Sequence, residues 1–468
     1  MRYVRNPVLW KRLCRYGCAC RLVPKALRLI LILVVLGSAF SLPPLAQSSE
    51  SDEQACTTKQ GLIILVEFPD VQRVVEREHA QKRFFQELNS YVQEMSYGRV
   101  CIGGDVTQEW YKMPHRISEY KISPRNLEVD PSHLNNLMQD VLDAVDRDVD
   151  FSKYSFVAFF LAAKREDYGM IGLCAYPGML GWETEAVLKT KSGQVVNGGI
   201  VIFCYEAHLG TLFHDVAHVL GGVKDGKRVV SCLYDHDLQS KPGPLRDVFV
   251  DAAINMGFWD PMSCHYYRWE LPPPGISSWT KIRLNWIDPS KIKEVRPGET
   301  TELLLGPLED GTSKTLAIRI PLSDTTYYLI ENRQPIGFDE NLPGSGVLIM
   351  YGDDEVGECR HGSSAVKLID ANPTIPHLEG AAFDVGKESF VDEKNGISIQ
   401  LAGKTGNSYR ILVSSLATQK ATATAVTNPM TTAGPAQGVP LAIPIMVVVI
   451  AAIGAAVFLI RRKRQVAH

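Results

Sequence analysis

Two histidines four residues apart, His214 and His218, constrain the fold of this chain more than any other feature. They lie in the stretch 211–222, where the apolar residues recur at helical spacing and gather on one side, while both histidines project from the other. Imidazoles at positions i and i+4 can reach one metal ion. Gly221 and Gly222 end the helix and let the chain turn sharply. The spacing therefore predicts a metal-binding helix.

The residue after the first histidine decides what chemistry this helix can perform. Zinc proteases with this spacing have the pattern H-E-x-x-H, in which the glutamate is the general base. Here that position is Asp215, whose side chain is one methylene shorter. A general base must lie within about 2.6–3.2 Å of the group it deprotonates. Withdrawing the carboxylate can cost about two orders of magnitude or more in rate. Asp215 is still the predicted catalytic base.

Composition bounds the class of protein. The 468 residues are 45% hydrophobic and 22% charged, with a formal net charge of −3. This is ordinary globular composition, and the length suggests two or three domains. The slight acidity gives no support to nucleic-acid binding, so no nucleic-acid partner is predicted.

Both ends of the chain carry targeting patterns. Residues 1–46 combine a basic stretch, an apolar run and a small-residue exit, which is typical of a signal peptide, or of an uncleaved anchor because the basic stretch is long. Residues 439–460 form an uncharged apolar stretch long enough to span a bilayer. The cations that follow place residues 461–468 in the cytoplasm. These patterns predict a single-pass protein of the cell membrane whose ectodomain is extracellular.

Between these ends the hydrophobic pattern predicts two folded parts. Buried-strand patterns alternate with helical patterns over residues 47–294, which predicts an α/β catalytic domain. Asp130 and Pro131 predict the start of one of its helices. Short β-branched runs separated by Gly, Pro and Asp predict a small β-rich domain over residues 295–415. Residues 416–438, rich in Thr, Ala and Pro, predict an extended stalk.

Several segments, taken in order, resemble the immune inhibitor A family of secreted metallopeptidases. Besides 214–221, the matching segments are 64–70, 95–99, 104–107, 110–111, 233–235, 257–263, 278–282, 328–333 and 342–349. The resemblance implies a zinc endopeptidase in which His214 and His218 bind zinc and Asp215 polarises the attacking water. Together with the patterns above, it leads to the predicted fold class: α+β, with a zincin-like α/β catalytic domain, a small β-rich domain and a C-terminal transmembrane helix.

The third zinc ligand is less clearly marked. In related zincins it stands six residues beyond the second histidine, where this chain has Lys224, a cation that repels a metal ion. Ten extra residues, 223–232, separate the glycines from the next matching segment. Asp235 is the predicted third ligand. The alternatives are Asp225, His236 and Glu206.

Structural roles are predicted for the cysteines, for Met262 and for the pair Glu331 and Arg333. Seven cysteines follow the predicted signal peptide, so at least one has no partner within the chain. Cys232 and Cys264 flank the site and are candidates for a disulfide. The cysteines include no C-x-x-C pair, so a cysteine-built zinc site is not predicted. Met262 is predicted to pack in the core, and Glu331 with Arg333 to form a structural ion pair.

The sequence thus predicts a membrane-anchored extracellular zinc metallopeptidase that hydrolyses protein or peptide substrates with metal-activated water. The alternative is a catalytically weakened or inactive pseudoprotease that serves as a binding or scaffold module at the cell surface. Asp215 and Lys224 favour this alternative because both depart from the protease pattern. A glycan-binding surface protein is a third option, supported only by the β-rich domain.

Overall fold

A mostly parallel sheet forms the first half of the molecule. The computed structural model describes residues 56–178 and 188–416. Within these residues the strands of the first sheet are β1 (Thr57–Glu67), β2 (Val100–Val106), β3 (Tyr111–Lys112), β4 (Phe156–Leu161), β5 (Gly172–Tyr176) and β6 (Ile200–Cys204). Their order is β2-β1-β4-β6-β5, with β3 beside β1. Every pairing is parallel except that of β5 with β6.

Helices connect these strands and cover both faces of the sheet. The first, α1, is a continuous run of Arg77–Lys82, a π-helical stretch Arg83–Leu88 and Asn89–Met95. The others are α2 (Ile117–Tyr120), α3 (Pro131–Val145), α4 (Arg165–Tyr168), α5 (Leu209–Gly221), α6 (His236–Gln239), α7 (Leu245–Ala252) and α8 (Ser278–Arg283). Short 3-10 helices lie at Asn126–Glu128, Phe151–Lys153, Pro289–Lys291, Gly337–Asn341 and Pro376–Leu378.

The central strands are apolar along their length because both of their faces are buried. In β1, Ile63 and Leu65 face a core shared with α1 and α5. Leu62 and Ile64 face a second core, which is shared with α3. The predicted start of α3 is confirmed, since the Asp130 side chain accepts a hydrogen bond from the backbone nitrogen of Ser132. This framework holds α5 against one face of the sheet.

Two further sheets follow, built mostly from antiparallel strand pairs with one parallel pair. A two-stranded hairpin precedes them, formed by β7 (Val223–Lys224) and β8 (Lys227–Arg228). The remaining strands are β9 (Ile292–Glu294), β10 (Thr301–Leu305), β11 (Ala317–Pro321), β12 (Thr326–Arg333), β13 (Gly346–Asp353), β14 (Val366–Leu368), β15 (Ser389–Asp392), β16 (Ile397–Thr405) and β17 (Ser408–Ser415). One sheet has the order β14-β13-β12-β11-β9, the other β10-β17-β16-β15. A third apolar core fills the space between them.

The sheet containing β12 also packs against the first half of the molecule. Leu329 belongs to the same core as α5, whereas its neighbour Ile330 belongs to the core between the two later sheets. The structural pair is confirmed: Arg333 and Glu331 are fully buried, with Nη1 and Oε1 3.2 Å apart. Arg333 Nη1 also donates to the carbonyl oxygen of Trp259, 2.9 Å away, which ties this sheet to the turn beneath α5. The site described below therefore rests on both halves.

The predicted fold class requires correction. The described residues form a mixed α/β structure with about 26% helix and 28% strand, rather than an α+β fold that ends in a transmembrane helix. Among them no helix is both long enough and apolar enough to cross a membrane. The predicted span at 439–460 lies outside the described residues, as do the predicted signal peptide at 1–46 and most of the predicted stalk.

Candidate metal centre

Helix α5 carries the two histidines and is buried on nearly every side. His208 Nδ1 accepts a hydrogen bond from the backbone nitrogen of Gly210 and so caps its first turn. Gly222 ends it with a φ of 68°, a left-handed conformation that glycine adopts without strain. His214 and His218 are 2% and 1% exposed. The helix ends as predicted, and both histidines face the protein interior.

Backbone carbonyls hold both imidazoles in one tautomer. His214 Nδ1 lies 2.9 Å from the carbonyl oxygen of Pro261, and His218 Nδ1 lies 2.7 Å from that of Val230. A carbonyl oxygen only accepts hydrogen bonds, so each Nδ1 carries the hydrogen and each Nε2 presents a lone pair. Histidines that bind metals are oriented in this way.

Cys232 completes the group of ligand atoms. Its Sγ lies 3.5 Å from Nε2 of His214 and 3.5 Å from Nε2 of His218. In a tetrahedral zinc site, a nitrogen at about 2.0 Å and a sulfur at about 2.3 Å from the ion lie about 3.5 Å from each other. The separations therefore match those between ligands of one ion.

The charges and lone pairs of His214, His218 and Cys232, called the trio below, also favour a bound cation. A thiol has one hydrogen and can donate it to only one of the two Nε2 atoms, which leaves the other lone pair facing sulfur. Burial lowers the pKa of His214 to about 3 and that of His218 well below its usual value, so both rings are neutral, as metal ligands must be. Burial also raises the pKa of Cys232, and a bound metal ion would offset this by stabilising the thiolate.

A hairpin brings Cys232 back to the helix. After Gly222 the chain forms β7, turns at Asp225 and Gly226, which both have positive φ, and returns along β8. The turn is a two-residue Asp-Gly loop, for which this dipeptide is strongly preferred. Val229 then donates its backbone hydrogen to the carbonyl oxygen of Gly222, and three residues later Cys232 reaches the histidines. The ten extra residues thus form the hairpin and the return segment that place Cys232 beside the histidines.

The turn at residues 260–263 orients residues of the site through its backbone carbonyl groups. Asp260 accepts hydrogen bonds from the backbone nitrogen of Met262 and from the side chains of Ser277 and Thr280. This turn presents the Pro261 carbonyl that orients His214, and the Met262 carbonyl accepts from the backbone nitrogen of Leu233. Met262 is fully buried, as predicted for a core residue.

The structure places the other predicted ligands away from the two histidines. Asp235 caps α6, where its Oδ1 accepts from the backbone nitrogen of Leu238 at 2.9 Å. Asp225 is exposed at the hairpin tip. Glu206 Oε1 accepts from the backbone nitrogen of Arg165 at the cavity rim. Thus Cys232, and not Asp235, stands beside the histidines.

His236 joins a second group, with Cys232 and Glu358, whose ligand atoms also lie within 4.8 Å of one another. Asn126 Nδ2 donates to its Nδ1 at 3.0 Å, so its Nε2 carries the hydrogen and donates to Glu358 Oε2 at 3.2 Å. Both ring nitrogens of His236 are therefore already used in hydrogen bonds.

Asp215 lies in a cavity of about 360 Å³ that also includes the trio in its lining. It is 4% exposed, and among the described residues its Oδ2 has no hydrogen-bond partner. Burial raises the pKa of Asp215 well above its usual value, while the Arg228 charge and the backbone nitrogen of Cys174 oppose the shift. In the absence of a metal ion this shift favours the protonated carboxyl group. A cation held by His214, His218 and Cys232 would favour the carboxylate, whose oxygen without a partner could then receive a proton from a group bound in the cavity.

Four of the cavity residues that were not predicted to contribute to the site bear on its chemistry. Cys232 was considered only for a disulfide, but Cys232 and Cys264 are both free thiols, and the described disulfide joins Cys56 to Cys101. The others are Arg228, Tyr234 and His265. Tyr234 stacks on the His214 ring at 5.8 Å, and the His265 ring lies 4.4 Å from it. The Asp-Gly turn was the signal in the sequence that could have indicated the return of this segment to the helix.

Comparison with known proteins does not assign the chain to a family. No protein-family model matches the chain, and no curated protein matches it. The resemblance to immune inhibitor A peptidases therefore stays a prediction from the motifs. The structure does show that His214, His218 and Cys232 form a buried cluster that can hold a metal ion.

Replacing Gly172 in β5 by alanine is expected to disturb this site. A Cβ there would lie 2.6 Å from Thr211 Cγ2, 2.8 Å from Phe203 Cδ1 and 2.9 Å from Asp215 Oδ2. Overpacking of this kind costs about 1–3 kcal/mol, and we expect a urea-unfolding free energy lower by that amount. Gly344→Ala is the control, because its nearest atom would be 3.5 Å away. Equal stability of the two variants would contradict the crowding at Gly172.

Proposed function

We propose that this chain is a zinc-dependent peptidase whose metal is held by His214, His218 and Cys232. The observation that carries the proposal is the convergence of these ligand atoms beside Asp215 in one cavity. Two imidazoles and a thiolate suit zinc better than magnesium or calcium, which prefer oxygen ligands. Three protein ligands would leave room for a further ligand, as in catalytic rather than structural zinc sites.

In the proposed mechanism, residues of the chain bind the peptide and move the proton. A zinc ion held by His214, His218 and Cys232 would supply Lewis-acid chemistry for the carbonyl group and the water. Asp215 receives the proton of the attacking water on its unpartnered Oδ2 and passes it to the leaving nitrogen. Within the described residues β5 is the edge strand of its sheet and lines the cavity through Gly172 to Cys174. An extended peptide can add to that edge by backbone hydrogen bonds.

A pseudoprotease of the same fold is the second candidate. It is favoured by the aspartate in place of glutamate, since Asp215 is one methylene shorter and nearly buried. In that case the trio would hold a structural metal, and the cavity would bind a peptide without cleaving it.

We also propose that the described part of the chain acts outside the reducing cytosol. The disulfide between Cys56 and Cys101 supports this, because disulfides persist mainly in oxidising compartments.

The proposal is tested by measuring metal content and casein cleavage on the purified chain, with and without a chelator. We expect one zinc ion per chain and cleavage that stops on chelation and returns with zinc. Stoichiometric zinc without chelator-sensitive cleavage would reject the peptidase and leave the pseudoprotease. A chain without zinc would reject both.

A further inference from the structure

We propose that Arg228 is a binding site for a carboxylate group of the peptide substrate. Arg228 is the last residue of β8, within the extra hairpin, and it is 5% exposed. It lines the same cavity as the metal trio and Asp215. The inference rests on the proposed function in one respect, namely that the ligand is a peptide.

The guanidinium group of Arg228 is held in place but only partly paired. Its Nε and Nη2 donate to the carbonyl oxygen of Pro177, at 3.2 and 2.8 Å. Its Nη1 is buried and has no hydrogen-bond partner among the described residues. Within 56–178 and 188–416, no carboxylate forms a salt bridge with it. Glu358, whose charge acts on it from a distance, accepts a hydrogen bond from His236 instead.

A buried, unpaired arginine is costly unless a ligand compensates it. Burial of an ion without a counter-charge costs several kcal/mol, and arginine stays protonated at any physiological pH. Asp215 does not form the counter-ion, since no salt bridge joins the two and its Oδ2 is itself without a partner. An anion in the cavity would both neutralise the charge and accept the hydrogens of Nη1.

Arg228 is the arginine of the cavity that an anionic ligand can use. The other two arginines of the lining are already engaged: Arg165 pairs with Glu166, and Arg246 donates to Cys264 Sγ and to the carbonyl oxygen of Tyr267. The lining carboxylate Glu206 likewise accepts from a backbone nitrogen. The edge strand β5 borders the same space and offers its backbone to an extended peptide. The occupant is therefore an acidic peptide, and the carboxylate comes from an Asp or Glu side chain or from a free C-terminus.

The test is calorimetric binding of four acetylated alanine pentapeptides. Two end in an amide and differ in a central Asp or Asn; the other two are all alanine and end in a free carboxylate or an amide. Binding is measured on the metal-depleted chain, so that no cleavage follows, and repeated on the zinc-loaded chain. The variants are Arg228→Gln and Arg228→Lys. Arg165→Gln is the matched control, because Arg165 lines the cavity but pairs with Glu166.

We expect one acidic peptide to bind about 10-fold or more tightly than its neutral partner, as a charged hydrogen bond in a buried site should provide. Arg228→Gln should reduce this ratio to about one without weakening the neutral peptide, Arg228→Lys should keep part of it, and Arg165→Gln should keep it. The pair of peptides whose affinities differ shows whether the carboxylate comes from a side chain or from a free C-terminus.

The inference is overturned if no peptide binds, if acidic and neutral peptides bind equally to the natural chain, or if Arg228→Gln keeps the preference. The comparison on the natural chain stands even if the variants fail to fold. Acid preference without zinc-dependent cleavage would reject the peptidase and support this site. Cleavage without acid preference would support the peptidase and reject this site.

Discussion

Replacing Cys232 by alanine is expected to weaken zinc binding by about 100-fold or more. Its Sγ lies 3.5 Å from both histidine Nε2 atoms. Among the described residues, Cys232 is the only further potential ligand that groups with both His214 and His218. A structural zinc site contributes about 10–16 kcal/mol through four ligands, so one ligand is worth roughly 3 kcal/mol. Zinc affinity is measured by competition with a chromophoric chelator.

Asp235→Ala is the matched comparison, since Asp235 was the ligand predicted from the sequence. Its carboxylate caps α6, so its loss should cost about 1 kcal/mol of stability and leave zinc affinity unchanged. The assignment of the third ligand fails if Asp235→Ala releases zinc while Cys232→Ala retains it.

Replacing Asp215 by asparagine is expected to lower the rate of peptide cleavage by about 10²–10⁴-fold, the usual contribution of a general base. Asparagine has nearly the same size as aspartate but cannot accept the proton of the attacking water. The loss should appear in kcat, measured with a fluorogenic peptide, at unchanged zinc content. A variant that cleaves as fast as the natural chain would exclude Asp215 as the base.

Asp215→Glu separates a weakened enzyme from an inactive one. If the shorter side chain limits proton transfer, the glutamate variant should cleave faster than the natural chain. If both are inert while zinc is present, the pseudoprotease is the better description.

Individual elements, rather than the fold class, could be predicted where local pattern and tertiary structure agree. Strand β4 is apolar throughout since both of its faces are buried, and α3 starts at Asp130 and Pro131 because the cap needs only neighbouring residues. The membrane-spanning part of the predicted fold class, by contrast, rested on hydropathy at 439–460, where the structure describes nothing.

The site was predictable only in part. His214 and His218 share a helix, so their spacing alone brings them together. Cys232 reaches them through a hairpin and a return segment, a tertiary arrangement that spacing along the chain does not encode. Asp235 was preferred because it lies in the matching segment 233–235 that follows the extra residues, but its side chain is used locally as a helix cap. Arg228 was missed for the same reason as Cys232, since both depend on the course of the hairpin.

X-ray absorption spectroscopy of the zinc-loaded chain tests the central claim, that two histidines and Cys232 hold the metal. We predict one sulfur at about 2.3 Å and two imidazole nitrogens at about 2.0–2.1 Å from zinc. A spectrum with only nitrogen and oxygen ligands, or a chain that takes up no zinc, would contradict it.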